Sequence, residues 1–106
     1  MKFGMFVLPS WPQRDPSHQG RLYHEMIEQV QYAEELGFDS VWLAEHHFTR
    51  FGIVPSALPL ATYVAGRTKR IRIGTGVSVL NFHDPVFLAE ETAMMDLLSD
   101  GRLDFG

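Results

Sequence analysis

Apolar and polar positions along the chain alternate between short continuous apolar runs and longer stretches with helical spacing. Phe3 to Leu8 is an apolar run closed by Pro9, and it predicts a first strand. Between Gln19 and Leu36, Leu22, Met26, Val30 and Ala33 recur at spacings of four, four and three, while Glu25, Glu28, Glu34 and Glu35 take other faces. That is the pattern of an amphipathic helix, and Gly37 supplies its left-handed stop. Phe38 to Ala44 follows at once as a second strand, whose Val-Trp-Leu-Ala run reads as buried on both faces. Ser56 is placed to cap a second helix running to about Gly66, with Pro59 tolerated in its first turn. Ile71 to Val77 predicts a third strand. Asp84-Pro85 is a cap followed by proline at the first helical position, opening a helix with Val86, Ala89, Ala93 and Leu97 on one stripe, widened by Leu88, Met95 and Leu98. Asp100-Gly101 closes it, and Arg102 to Gly106 begins a fourth strand, with Leu103 and Phe105 on one side.

Strand starts therefore recur about every 30 to 38 residues in the order β-α-β-α-β-α-β. A helix joining two strands in this way makes them parallel through a right-handed crossover. Two α/β architectures fit, an open doubly wound sheet or the opening of a (β/α)₈ barrel. A complete barrel takes ~250 residues, so 106 residues hold about the first three and a half βα units. The last strand would also have nothing to cover its edge. Residues 1–106 are expected to be the amino-terminal portion of a single, longer barrel domain. One segment escapes the pattern: Pro9 to Gly20 holds three prolines with Trp11, Arg14, Asp15 and His18, and loops of this length often form lids or binding loops.

Charge and composition remove several function classes. The formal net charge is -4, and the only cluster of basic residues, Arg67, Lys69, Arg70 and Arg72, reads as a solvated helix end, so nucleic acid is not an expected partner. The absence of cysteine excludes disulfides, thiolate nucleophiles and thiolate metal sites. No apolar run approaches the ~18 residues of a membrane span, and a soluble, cytoplasmic protein is expected.

The strongest chemical lead is Glu45-His46-His47, at the point where the second strand's apolar run stops. Ligands and catalysis in parallel α/β folds gather at the carboxyl ends of the strands. Alternation along a strand lets only one of the two histidines face a common site with its strand-mates. No H-E-x-x-H spacing is present, so a metal site is not expected; the choice lies between histidines bonded to turn carbonyls and one acting as general base, with Glu45 fixing its orientation or accepting hydrogen bonds from a ligand. At the end of the third strand, Gly74-Thr75-Gly76-Val77 permits a close backbone approach to a flat ligand, although a bulge or tight packing would also use two glycines. The dinucleotide fingerprint fails, since position 79 is Val and no helix opens before Pro85. His83 is expected to be exposed near a helix start, His18 and His24 on the surface, and Trp42 in the core.

Taken in order, Met1-Lys2-Phe3-Gly4, the run Glu34-Glu35-Leu36-Gly37-Phe38-Asp39-Ser40-Val41-Trp42-Leu43-Ala44-Glu45-His46-His47-Phe48, then Ile73-Gly74-Thr75-Gly76-Val77 and Asp100-Gly101-Arg102-Leu103-Asp104-Phe105-Gly106 resemble the amino-terminal third of the bacterial luciferase-like family of flavin-dependent monooxygenases. The resemblance implies a (β/α)₈ barrel. It makes His46 the active-site base beside the flavin and Glu45 an acidic residue lining the flavin pocket. Gly76 and Val77 become the pair joined by a non-prolyl cis peptide against the flavin ring, with Ala44 nearby. It further implies reduced flavin mononucleotide (FMN) from a separate flavin reductase, O₂ and a small organic substrate as partners, a dimer for the whole protein, and flavin-phosphate contacts beyond Gly106. The Glu-His-His-Phe form points to the FMN branch over the deazaflavin branch. Two alternatives remain, a deazaflavin-dependent hydride-transfer enzyme on the same barrel and a catalytically silent barrel fragment acting as an assembly module.

Overall fold

A computed structural model describes residues 1–12 and 15–106, so Arg14 of the proline-rich loop lies outside the described residues. The elements run β1 (Gly4–Val7), α1 (Pro16–Glu35), β2 (Ser40–Leu43), α2 (Ala57–Arg67), β3 (Arg72–Thr75), α3 (Pro85–Leu98) and β4 (Leu103–Asp104), with a short 3₁₀ turn, Leu80–Phe82, before α3. All neighbouring strands are parallel and their order in the sheet is β1-β2-β3-β4. A doubly wound sheet reverses its strand order at a switch point, whereas a (β/α) barrel adds each strand beside the last. The unreversed order is therefore that of a partial barrel.

Caps explain most of the boundaries. α1 begins earlier than its apolar periodicity, because the Asp15 carboxylate accepts from the Ser17 backbone N–H at 2.9 Å and Pro16 takes the first helical position. Asp84 does the same for α3, accepting from the backbone N–H groups of Val86 and Phe87. Ser56 stands at the cap position of α2 but makes no side-chain cap bond.

The core lies between the sheet and the helices. Val7, Val41, Leu43, Ile71 and Ile73 meet Met26, Ile27 and Val30 of α1, Ala57, Leu58, Ala61, Val64 and Ala65 of α2, and Leu88 and Met95 of α3. The opposite face of the sheet, which corresponds to the interior side in a barrel, is open: Phe6 is 60% exposed and Trp42 36%. This corrects two expectations. β2 is buried on one face here, and Trp42 belongs to the open face rather than to the core between sheet and helices. α3 also differs, burying Leu88 and Met95 while Val86 and Leu97 of the expected stripe stay exposed. The helix is apolar nearly all round, so its spacing does not choose a face.

At the amino ends of the strands, Glu34 at the end of α1 binds the turn into β3. Its carboxylate accepts from the backbone N–H groups of Lys69, Arg70 and Ile71, the last two at 2.6 and 2.8 Å. Partial burial pushes its pKa up, but the bonds from Ile71, Arg70 and Lys69 outweigh that, and the carboxyl titrates below its ordinary value. A depressed pKa gives stability that is fully present above the unfolded value of about 4.3 and is lost as pH falls through the folded value. Glu34→Gln is expected to cost about 1 kcal/mol at neutral pH, discounted for solvent screening, with the gap to wild type closing in denaturant titrations below about pH 4.

Candidate active site

The strand order brings the carboxyl ends of β2 and β3 side by side, and with them the two motifs singled out above. Leu43 and Thr75 are partners in the register, and the Gly76 N–H continues the ladder onto the Leu43 carbonyl at 2.8 Å. The peptide between Gly76 and Val77 is cis. Ala44 is buried directly after β2, while Val77 is more than half exposed.

The Glu-His-His tripeptide splits by side. Glu45 has no exposed side-chain surface, and its Oε1 lies 2.8 Å from His47 Nε2. Its Oε2 lies 3.4 Å from His83 Nε2, which arrives from the β3–α3 connection. His46 stays exposed, as alternation requires once its neighbours turn inward. Its backbone N–H donates to the Val54 carbonyl at 2.8 Å, and its side chain lies so close to Gly52 that a Cβ there would meet His46 Cβ and Cγ at 2.8 Å. Gly52 thus lets the 48–54 loop pass against the base of the His46 side chain. The same loop joins the first connection through Trp11 N–H to the Arg50 carbonyl and Ile53 N–H to the Pro9 carbonyl.

Two expectations are corrected. Glu45 does not orient His46: its carboxylate is engaged by His47 and His83 on the far side of the backbone. His83 is half-buried rather than exposed, because it is one of those partners. Nothing in the local sequence links His83 to Glu45, 38 residues away. Among the described residues no group of three or more His, Cys, Asp and Glu side chains could hold a metal ion. Glu45, His47 and His83 meet instead as one acceptor between two ring nitrogens.

The open face beneath these ends carries the Phe6 and Trp42 rings, with Arg72 and Asp104 farther along it. The Trp42 indole lies across the glycines of β3, with a Cβ built on Gly74 meeting Trp42 Cδ2 and Cζ3 at 2.6 Å; one built on Gly76 would have Trp42 Cε3 at 3.5 Å and Phe6 Cε2 at 3.9 Å. Gly74 is required by this approach. Gly74→Ala is expected to cost roughly 1–3 kcal/mol by overpacking, and Trp42→Leu in the same chain to recover part of it; a double-mutant cycle in thermal denaturation reads the coupling. Arg72 and Asp104 on this face are paired by bonds of 2.8 and 2.6 Å. Phe6 and Trp42 beside Gly76, where the cis peptide leads to Val77, form an apolar patch that fits the flat ring system of a flavin, and these residues could hold the ring.

Parallel βα units added one beside the last define an α/β fold of the barrel type. Within that class, the chain belongs to the luciferase-like monooxygenase family, whose model matches residues 1–106. It is 42% identical over its full length to the oxygenase component of flavin-dependent trigonelline monooxygenase from Acinetobacter baylyi. It is 39% identical, again over its full length, to the alkanal monooxygenase alpha chain of Photorhabdus laumondii. In both cases it covers 29% of the relative. Among solved structures, monooxygenase RslO1 from Streptomyces bottropensis superposes with a TM-score of 0.89 at 36% identity, covering all of this chain and 33% of that one. No helix among the described residues is long and apolar enough to cross a membrane.

Proposed function

We propose that the chain is the amino-terminal portion of a (β/α)₈ flavin-dependent monooxygenase that uses reduced FMN and O₂ to oxygenate an organic substrate. The observation that carries this reading is the patch of Phe6 and Trp42 beside the cis Gly76–Val77 peptide, at the strand ends where His46 follows β2, in a chain whose relative is named a flavin-dependent oxygenase component. Reduced flavin, when bound, supplies the electrons that activate O₂. Ala44, Gly76 and Val77 hold the flavin ring from the β2 and β3 side. Glu45 supports that pocket from beneath, through His47 and His83, and its carboxylate is not a flavin contact. His46 takes and returns the proton that the oxygenation moves, at an imidazole ring nitrogen. The loop from Pro9, bonded to the 48–54 loop, keeps water from this end of the site.

An oxygenase component implies a separate reductase as the source of reduced flavin, and the whole protein is read as a cytoplasmic dimer. Alkanal and trigonelline monooxygenases share this segment at similar identity, so the segment does not select the substrate; in barrels, later loops do. The test is O₂ uptake by the whole protein with reduced FMN and a reductase, beside hydride transfer to a deazaflavin. Flavin-linked uptake is the expected result. Hydride transfer without uptake would move the protein to the deazaflavin alternative, and a folded oligomer with neither activity to the assembly module.

A further inference from the structure

A carboxylate with no solvent exposure keeps its charge only when its oxygens are matched by donors. Glu45 meets that need with two imidazoles from different parts of the chain: His47, two residues on, and His83, at the end of the connection from β3 to α3. An ionised carboxylate only accepts, so both rings must carry hydrogen at Nε2. The junction has a second contact, since the His47 ring packs on Phe82 with centroids 4.4 Å apart.

These contacts bear on the site because of what lies at their two ends. On one side, Glu45 and His47 flank His46, whose own N–H is bonded to Val54. His46 is held before and after itself, and it is exposed. On the other side, the connection that ends at His83 begins at Gly76-Val77, and its start is fixed by Gly76 N–H on Leu43 and Ser78 N–H on the Gly106 carbonyl. One end of the connection is thus tied by the strand ladder and the other by Glu45.

We propose that His83 and His47, acting through Glu45, are positioning residues that latch the β2 and β3 carboxyl-end loops together and so set the placement of His46 relative to Gly76–Val77. The proposal rests on the monooxygenase reading for its consequence in turnover, while the latch stands on geometry alone. Neither histidine touches the reacting atoms. Loss of one donor leaves half of a buried carboxylate unmatched and frees both loops together.

The test uses the whole, flavin-free protein and amide hydrogen exchange in peptides covering 44–50 and 76–84. His83→Leu is expected to speed exchange roughly tenfold or more in both peptides, and His83→Gln, which keeps an N–H donor near the same place, to restore most of the protection. Should His83→Leu fail to fold, His83→Asn, whose shorter amide stops short of Glu45, takes its place. Faster exchange confined to 76–84, or equal loss in the Leu and Gln variants, would overturn the latch. In turnover, His83→Leu should lower kcat roughly tenfold with little change in KM, and add nothing further when His46 is already alanine. Multiplying losses would mean that His83 does not work through His46. Should wild type show no flavin-linked turnover, the monooxygenase reading fails while the exchange result still decides the latch.

Discussion

His46→Ala in the whole protein is expected to cut substrate oxygenation by roughly 10² to 10⁴, the span typical of a lost acid–base group, while flavin titration shows nearly unchanged affinity. The two readouts separate because of where His46 sits. It is exposed and follows β2, and none of the bonds that fix Gly76 and Ser78 involves it, so Ala44, Gly76 and Val77, proposed to hold the ring, are expected to keep their places without it. Its backbone N–H bond to Val54 survives the substitution, and so does the Gly52 approach at Cβ, so the loop keeps its path. A group that acts only while a proton moves lowers kcat and kcat/KM together. Loss of flavin affinity matching the loss of rate would make His46 a binding residue, and unchanged turnover would remove it from the mechanism.

Much of this arrangement was legible in the sequence, for reasons that can be named. The four strands and three helices stand where short apolar runs and helical spacing place them, because parallel strands packed on helices must be apolar along their length. Strand order was not legible locally: doubly wound and barrel sheets share the same βα alternation, and only the observed β1-β2-β3-β4 order separates them. The start of α1 was written in Asp15-Pro16, the same device as Asp84-Pro85, but the surrounding prolines hid it. Trp42 and α3 were misplaced for one reason, since an apolar residue does not say which apolar surroundings it faces. Trp42 faces the barrel interior, where the glycines of β3 make room for it. Alternation required His46 and His47 to part without saying which faces the site, and only the family resemblance pointed to His46; the fold puts His47 with Glu45 and leaves His46 apart. The Glu45–His83 pairing was not, because it depends on two loops that only the folded sheet brings together.

The residue with the largest expected effect on stability lies at the other end of the barrel. Arg102, just before β4, spreads its guanidinium over four acceptors: the Ser99 carbonyl at 2.8 Å, Thr68 Oγ1 and the Ala65 carbonyl at 2.9 Å, and the Ile71 carbonyl at 3.3 Å. The last turn of α2, the entry to β3 and the end of α3 are thereby tied at one point. Thr68 is itself buried, with its hydroxyl donating to the Val64 carbonyl. Arg102→Met keeps the length and removes every donor, leaving these acceptors unmatched. Charged hydrogen bonds contribute about 1.5–3 kcal/mol each and do not sum, so a loss of about 3 kcal/mol or more in denaturant unfolding is expected. Arg102→Lys should fall between, since an ammonium cannot reproduce the planar fork. Because Arg102 works at the amino ends of the strands, kcat per folded molecule should not change, as barrels separate stability at that face from chemistry at the opposite one. A loss below 1 kcal/mol would mean that water replaces the guanidinium at little cost, and a lower kcat at full stability would mean that the two ends of the barrel are coupled.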